Sequence, residues 1–227
     1  MNTTITGKRT CENFFEVWTD NLAYILGFFT ADGNLSINKR KGCYISFQSK
    51  DKQIILDIKK AMDSGNKVST RTNKLNSGKF YRLQIGSKSI VKKLKCLGFG
   101  INKTKHLPFP FIPSKMLSHF IRGYFDGDGN IWSGEIHKER KTKHVVLQLA
   151  FTSGSYSFLN ILKSTLNSII ETSGSLIIFK NGSYSRLQFS TKDALKIYNF
   201  MYNNSNSFIF LKRKKKCFDK YIKNMRL

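Results

Sequence analysis

Two aspartates stand in the same unusual setting. Asp32 and Asp128 each close an apolar, helix-prone stretch, and each is followed by glycine (Gly33, Gly129). A glycine directly after a helix is expected in the left-handed C′ conformation. A carboxylate in the last turn faces the negative end of the helix dipole, which costs ~0.3–1 kcal/mol. Lysine is the ordinary choice there, so aspartate at both places points to a bound cation. Carboxylates joined by the carbonyls of a helix end, here those of Ala31 and Gly127, make an oxygen-rich site suited to Mg²⁺. Small residues recur four apart on both helices, Gly27 with Ala31 and Gly123 with Gly127. Positions i and i+4 share a helix face, and small residues there let two backbones come close. If the helices pack along that face, Gly27 and Gly123 form the contact and the two aspartates meet at one end of it.

The elements that must position them repeat. ILGFFTADGN (25–34) aligns with IRGYFDGDGN (121–130), an offset of 96 residues from 32 to 128. Arg82-Leu83-Gln84 aligns with Arg186-Leu187-Gln188, an offset of 104 from 82 to 186, so the second copy carries extra residues around Glu135 to Lys143. That insertion predicts a longer first hairpin in the second half. Each copy reads as helix, hairpin, helix, hairpin, helix. The first-copy helices are expected over about 20–32, 51–62 and 87–97, with strands over 34–40, 43–49, 67–73 and 79–85. The second copy opens with a helix over about 114–128, and its second hairpin turns at Asn181-Gly182, a strong hairpin signal. All three prolines (Pro108, Pro110, Pro113) fall between the copies. The division is therefore 1–104, a linker 105–113, and 114–227. The fold class is α+β, two pseudo-symmetric αββαββα halves with antiparallel sheets.

Charge narrows the partner. There are 39 Lys plus Arg against 14 Asp plus Glu in 227 residues, a formal net charge of +25. Such an excess favours a polyanion, nucleic acid foremost and a membrane surface second. The longest near-apolar stretch, Ala23 to Phe29, is far too short to span a bilayer. The start lacks an apolar leader segment, and the four scattered cysteines lack zinc-ligand spacing. An intracellular protein is expected. The richness in Lys, Asn, Ile and Phe matches AT-rich coding, which suits an organelle (mitochondrion or chloroplast), a bacterium or a phage.

ILGFFTADG and IRGYFDGDG resemble the nine-residue signature of LAGLIDADG homing endonucleases, in the form that joins two motifs in one chain. Gly27 and Gly123 take its third position, and Asp32 and Asp128 its eighth. The resemblance extends over nearly the whole chain, because the element order also matches. It implies a monomer whose eight strands form a saddle on double-stranded DNA. It implies metal-dependent cleavage of both strands, with Mg²⁺ as cofactor and Mn²⁺ or Ca²⁺ able to substitute in binding. It also implies a lysine near each site, for which Lys103 and Lys214 are the candidates, with Lys105, Lys212 and Arg213 as alternatives. Residues just past the second strand, Lys50 or Asp51 and Ser153 or Ser155, would help hold water. Thr30 replaces the usual sixth-position aspartate, kept as Asp126 in the second motif, where a structural role is expected.

Strand alternation assigns the DNA face. In the first half it carries Ser36, Asn38, Arg40, Tyr44, Ser46, Gln48, Arg71, Asn73, Arg82 and Gln84. In the second it carries Trp132, Gln148, Thr152, Lys180, Arg186 and Gln188. Arg suits guanine and Asn or Gln suits adenine. The acidic stretch Glu135 to Glu139 is expected to swing clear of the duplex. Two other roles fit the same saddle, an RNA maturase binding intron RNA and a DNA-binding regulator that does not cut.

Overall fold

The computed structural model of the chain describes residues 13–72, 78–101, 106–137, 139, 141–142, 144–179, 182–203 and 209–225. The first half comprises α1 (Asp20–Asp32), β1 (Gly33–Ile37), β2 (Cys43–Ser49), α2 (Lys52–Ala61), β3 (Val68–Thr72), β4 (Lys79–Gly86) and α3 (Lys88–Cys96). The second comprises α4 (Leu117–Asp128), β5 (Gly129–Ile136), β6 (His144–Ser153), α5 (Tyr156–Ile170), β7 (Ser175–Phe179), β8 (Tyr184–Phe189), α6 (Thr191–Tyr202) and α7 (Lys212–Met225). A single 3-10 turn, Ser114–Met116, takes the start of the helix expected from residue 114. Among the described residues the helix α7 has no counterpart in the first half.

Each half builds one four-stranded antiparallel sheet, ordered β1-β2-β4-β3 and β5-β6-β8-β7. The registers match. Phe47 lies opposite Gly33 and Leu83, and Phe151 opposite Gly129 and Leu187. The second hairpin pair, β5 and β6, is longer than β1 and β2, where the sequence places its insertion. The apolar face of each sheet packs on amphipathic helices. In α2, for example, Ile54, Ile55 and Ile58 are buried while Lys52, Gln53 and Lys60 face out. The connector crosses onto the second half, with Phe109 against Phe120 and Phe158 at ring distances of 5.7 and 5.4 Å.

The helices α1 and α4 form the central seam. A stretch buried on every side, Leu22 to Thr30, has no solvent face to keep polar. The expected close approach is present and reciprocal. A Cβ on Gly27 would lie 2.0 Å from the carbonyl oxygen of Phe120, and one on Gly123 2.0 Å from that of Tyr24. The buried residues of both halves join in one core.

One expectation fails. Gly33 and Gly129 are not left-handed: both have φ −83° and ψ 155°, ordinary extended backbone that starts the next strand. Glycine is required there for room instead. A Cβ would strike Phe29 within 2.1 Å or Phe125 within 2.2 Å. The chain turns from helix to strand with no loop residue, and the preceding aromatic fills the corner.

A polar network breaks the pseudo-symmetry at the seam. Tyr24 Oη donates to Asp126 Oδ2 across the helix pair at 2.7 Å, and the Leu211 amide donates to the same oxygen at 2.8 Å. The equivalent positions in the opposite sense are Phe120 and Thr30, and the Thr30 hydroxyl turns back on the Leu26 carbonyl at 2.7 Å. Losing the aspartate at position six therefore went with losing the facing tyrosine hydroxyl. The structural role expected for Asp126 is what its contacts show. Arg122, fully buried, donates to the Met201 carbonyl at 2.6 Å and to His119 Nδ1 at 3.0 Å, while His119 Nε2 meets Asp20 at 3.3 Å. Burial pushes the Asp126 carboxyl up from its ordinary value and the His119 imidazole down. Tyr24→Phe strips a donor from a buried carboxylate, and we expect a loss of about 1–3 kcal/mol in urea unfolding. An unchanged midpoint would show that the network contributes nothing to holding the halves together.

Candidate active site and nucleic-acid interface

Asp32 and Asp128 end α1 and α4 at the same end of the seam, where each helix passes straight into its sheet. The side chain of Asp32 reaches across to the last turn of α4: its Oδ2 lies 3.3 Å from the place a Cβ on Gly127 would take. Both carboxylates act on two common neighbours. Tyr124 is held well above its usual pKa by burial, then by Asp128 and Asp32, so it stays neutral while its hydroxyl donates to the Thr152 carbonyl at 2.9 Å. Lys214 is raised by both aspartates against a stronger opposing effect of burial. Among the described residues no group of three or more His, Cys, Asp or Glu side chains converges. The donor set is thus two carboxylates at two helix ends, with the carbonyls of Ala31 and Gly127 beside them. Hard oxygen donors in that number fit Mg²⁺, which keeps several waters and takes its other ligands from substrate phosphate.

Lys214 reaches the site by an unexpected route. It is buried on α7, and its Nζ donates to the carbonyls of Phe125, Asp126 (2.9 Å) and Gly129 (2.6 Å). All three ammonium protons are used. It caps the C-terminal end of α4 and supplies the positive charge that the dipole argument calls for beside Asp128. The cation inferred there from sequence is therefore in part this lysine. Neighbouring Arg213 is exposed and, with Gly127, Gly129, Asn130 and Cys217, lines a hollow of about 270 Å³ beside Asp128. Lys103 and Lys105, the candidates for the first half, lie outside the described residues.

Burial lowers Lys214 from 10.5 to about 8, the largest effect, with Asp126 opposing it. The sign follows. Between pH 8 and 10.5 the unfolded chain binds this proton and the folded chain does not, so stability from this group rises with pH. The span corresponds to about 3 kcal/mol at most. Lys214→Met should remove that pH-dependent part, read as a flatter difference in unfolding midpoint between pH 7 and 10. Parallel profiles for the two proteins would place the ammonium in a solvated setting.

The residues just past the second strands serve the helices that follow. Asp51 Oδ1 accepts from the Gln53 amide at 3.0 Å and caps α2, and Ser155 caps α5 through the Phe158 amide at 3.4 Å. Ser49 and Ser153 in turn accept from the amides of Asp51 and Ser155, each at 3.1 Å. Capping accounts for Asp51 and Ser155, and Lys50 stays exposed.

The open sheet faces carry the side chains expected of them. Register places Ser36, Tyr44, Ser46, Gln48, Arg71, Arg82 and Gln84 on one face of the first sheet, away from the helices. Trp132, Gln148, Thr152, Arg186 and Gln188 share the corresponding face of the second. Asn73 and Lys180 lie outside the described residues. Asn38 is engaged locally: its Oδ1 accepts from the amides of Arg40 (3.0 Å) and Gly42 (2.7 Å), which shapes the β1–β2 turn. Arg82 donates to Ser46 Oγ at 3.3 Å, and its pKa is lowered by burial and by repulsion from Arg71. Like charges that repel on an open face favour a polyanion. The residues that sequence reasoning missed are Tyr24 and Arg122. The signal for the first was present, since Tyr24/Phe120 and Thr30/Asp126 exchange together between the repeats.

Known proteins carry the same architecture. Residues 19–97 match the family model of the LAGLIDADG-like domain. The I-LtrWI LAGLIDADG homing endonuclease bound to target DNA superposes over 91% of this chain and 90% of its own, with 16% identity and a TM-score of 0.61. The homing endonuclease I-WcaI bound to its DNA recognition sequence covers 90% of each chain at 21% identity and a TM-score of 0.60. The LAGLIDADG meganuclease I-AabMI bound to uncleaved DNA covers 89% of this chain and 90% of its own at 14% identity and 0.59. No curated protein matches the sequence. The chain thus has the two-domain, single-chain LAGLIDADG fold. Residues 19–97 of its first half match the LAGLIDADG-like domain, and the second half repeats that fold with α7 added.

Proposed function

We propose that the chain is a site-specific double-strand DNA endonuclease, a monomeric homing endonuclease that hydrolyses one phosphodiester on each strand of a long asymmetric target. The observation that carries this reading is the meeting of Asp32 and Asp128 at one end of the α1–α4 seam, between two sheets whose open faces bear Arg, Gln and Ser. Asp32 and Asp128, with the Ala31 and Gly127 carbonyls, would hold Mg²⁺. The ion, when bound, neutralises phosphate charge and lowers the pKa of water. Lys214 keeps a fixed positive charge behind Asp128, and Arg213 at the mouth of the neighbouring hollow binds and orients the phosphate. The two sheets set the register of the duplex, so that the seam lies across the bonds to be cut. One chain supplies both aspartates, so no second copy is needed. The DNA-bound state of the structural neighbours supports duplex DNA as the partner.

A randomised duplex pool tests this directly, incubated with the protein in Mg²⁺, in Ca²⁺ and in chelator. Cutting of both strands at one selected sequence in Mg²⁺, and binding without cutting in Ca²⁺, is the expected result. Specific binding with no cleavage in Mg²⁺ or Mn²⁺ would make the chain a DNA-binding regulator. Preference for structured RNA over every duplex would make it an RNA-binding protein of the same fold.

A further inference from the structure

The repeat allows the two DNA faces to be compared position by position, because each residue of one sheet has a register-matched partner in the other. Three pairs are kept, Asn34 with Asn130, Arg82 with Arg186 and Gln84 with Gln188. Around them four positions change from polar to apolar, while Tyr44 becomes Gln148 and Phe80 becomes Tyr184. Ser36 of β1 becomes Trp132 of β5, and Ser46 of β2 becomes Ala150 of β6. On the outer strands, Ser69 opposite Arg82 becomes Ile177 opposite Arg186, and Arg71 becomes Phe179. Trp132 is 44% exposed and Ile177 39% exposed, on the face away from the helices. Phe179 is stacked on Tyr184 at 5.2 Å near the far end of the sheet.

Sheet twist or packing cannot account for this, because neither face covers a helix. Drift toward apolar residues does not account for it either, since an exposed Trp132 and Ile177 on one surface invite aggregation unless something covers them. Arg186, Gln148 and Gln188 on the same face say what the cover is. A hollow of about 200 Å³ lies among Gln148, Ala150, Ser175, Arg186 and Gln188, with apolar Ala150 in its lining and hydrogen-bonding groups around it. In the first sheet Arg82 is tied to Ser46, whereas Ala150 offers Arg186 no such acceptor. In the major groove, the apolar group that a base presents is the C5-methyl of thymine, which Ala, Thr and aromatic side chains contact.

Resting on the endonuclease reading, we propose that the two sheets read their half-sites by different chemistry. The first sheet uses hydrogen bonds from Ser, Gln and Arg. The second uses thymine methyl groups packed on Trp132 and Ile177, with Arg186 and Gln188 setting the register. The target is then asymmetric in kind, with a thymine-rich half under the second sheet.

Deoxyuridine lacks only that methyl, so it isolates the contact. The duplex selected from the random pool is resynthesised with deoxyuridine for thymine in one half at a time, and binding is measured in Ca²⁺. Each substitution at a contacted base in the half under the second sheet should weaken binding by about fourfold, roughly the worth of one buried methylene. The same change in the other half should leave binding nearly unaltered. The double variant Trp132→Ser, Ile177→Ser, which installs the first sheet's own residue types on an open surface, should bind thymine and deoxyuridine duplexes equally while keeping the wild-type melting temperature. A selected site with no thymine enrichment in either half, equal sensitivity of both halves, or a deoxyuridine penalty that survives in the variant would each overturn the inference. A duplex that is bound and cut without regard to the methyls sinks this inference alone. Absence of any specific duplex sinks the endonuclease reading with it.

Discussion

Asp32→Asn and Asp128→Asn should each lower double-strand cleavage by on the order of 10³-fold, about 4 kcal/mol of barrier, with DNA affinity changed little. Each carboxylate sits where a metal ion would take its first protein oxygen, and an amide keeps the shape while removing the charge. Because the two helix ends adjoin, nicking of one strand is the most that either variant should retain, and the double variant should cut neither. Stability should move the other way. A carboxylate at the negative end of a helix, close to a second carboxylate, costs roughly 0.3–1 kcal/mol, so both variants should melt at or above the wild-type temperature. The gain should be modest for both, because the Lys214 ammonium acts on Asp32 and Asp128 alike. Nicking assays on the selected duplex, run beside thermal melts, read both quantities. Retained double-strand cleavage in either variant would remove that residue from the chemistry. A fall in melting temperature would show that the aspartates serve the fold.

The second large effect is purely steric. Gly123→Ala places a methyl 2.0 Å from the Tyr24 carbonyl oxygen, and Gly27→Ala does the same against Phe120. Backbone cannot yield as a flexible side chain does, so the helices must separate along the whole seam. Ordinary overpacking costs about 1–3 kcal/mol. Here the contact is with main chain at the centre of the shared core, and we expect more than ~4 kcal/mol, a large part of the stability of a typical domain. Soluble yield and urea unfolding provide the reading. Gly100→Ala is the control, because nothing lies within 4 Å of its Cβ position, and it should stay within about 0.5 kcal/mol of wild type. A wild-type midpoint for Gly123→Ala would mean the helices are not packed at this distance.

Local pattern was enough to determine the repeated elements, their order, the longer first hairpin of the second half and the pair of aspartates, though not α7, which lies outside the repeat. Periodicity, turn residues and internal repetition are properties of neighbours in the chain, and they are readable there. The small residues Gly27 and Gly123 announced the helix seam for the same reason: a backbone contact imposes its demand on residue type alone. Tertiary structure decided what depends on distant partners. Gly33 and Gly129 are required by the rings of Phe29 and Phe125 filling a corner, a steric need that a left-handed cap would imitate in sequence. The basic run 211–216 did not reveal that Lys214 turns inward to three carbonyls while Arg213 stays out, because the rotation of α7 is set by Phe218 and Tyr221 packing into the core. The bond between Tyr24 and Asp126 left only the paired exchange between the repeats as its trace, since the two lie 102 residues apart and meet only after the helices cross. Charge, repetition and motif belong to the sequence. Which charges are paired, and which face the substrate, was decided by packing.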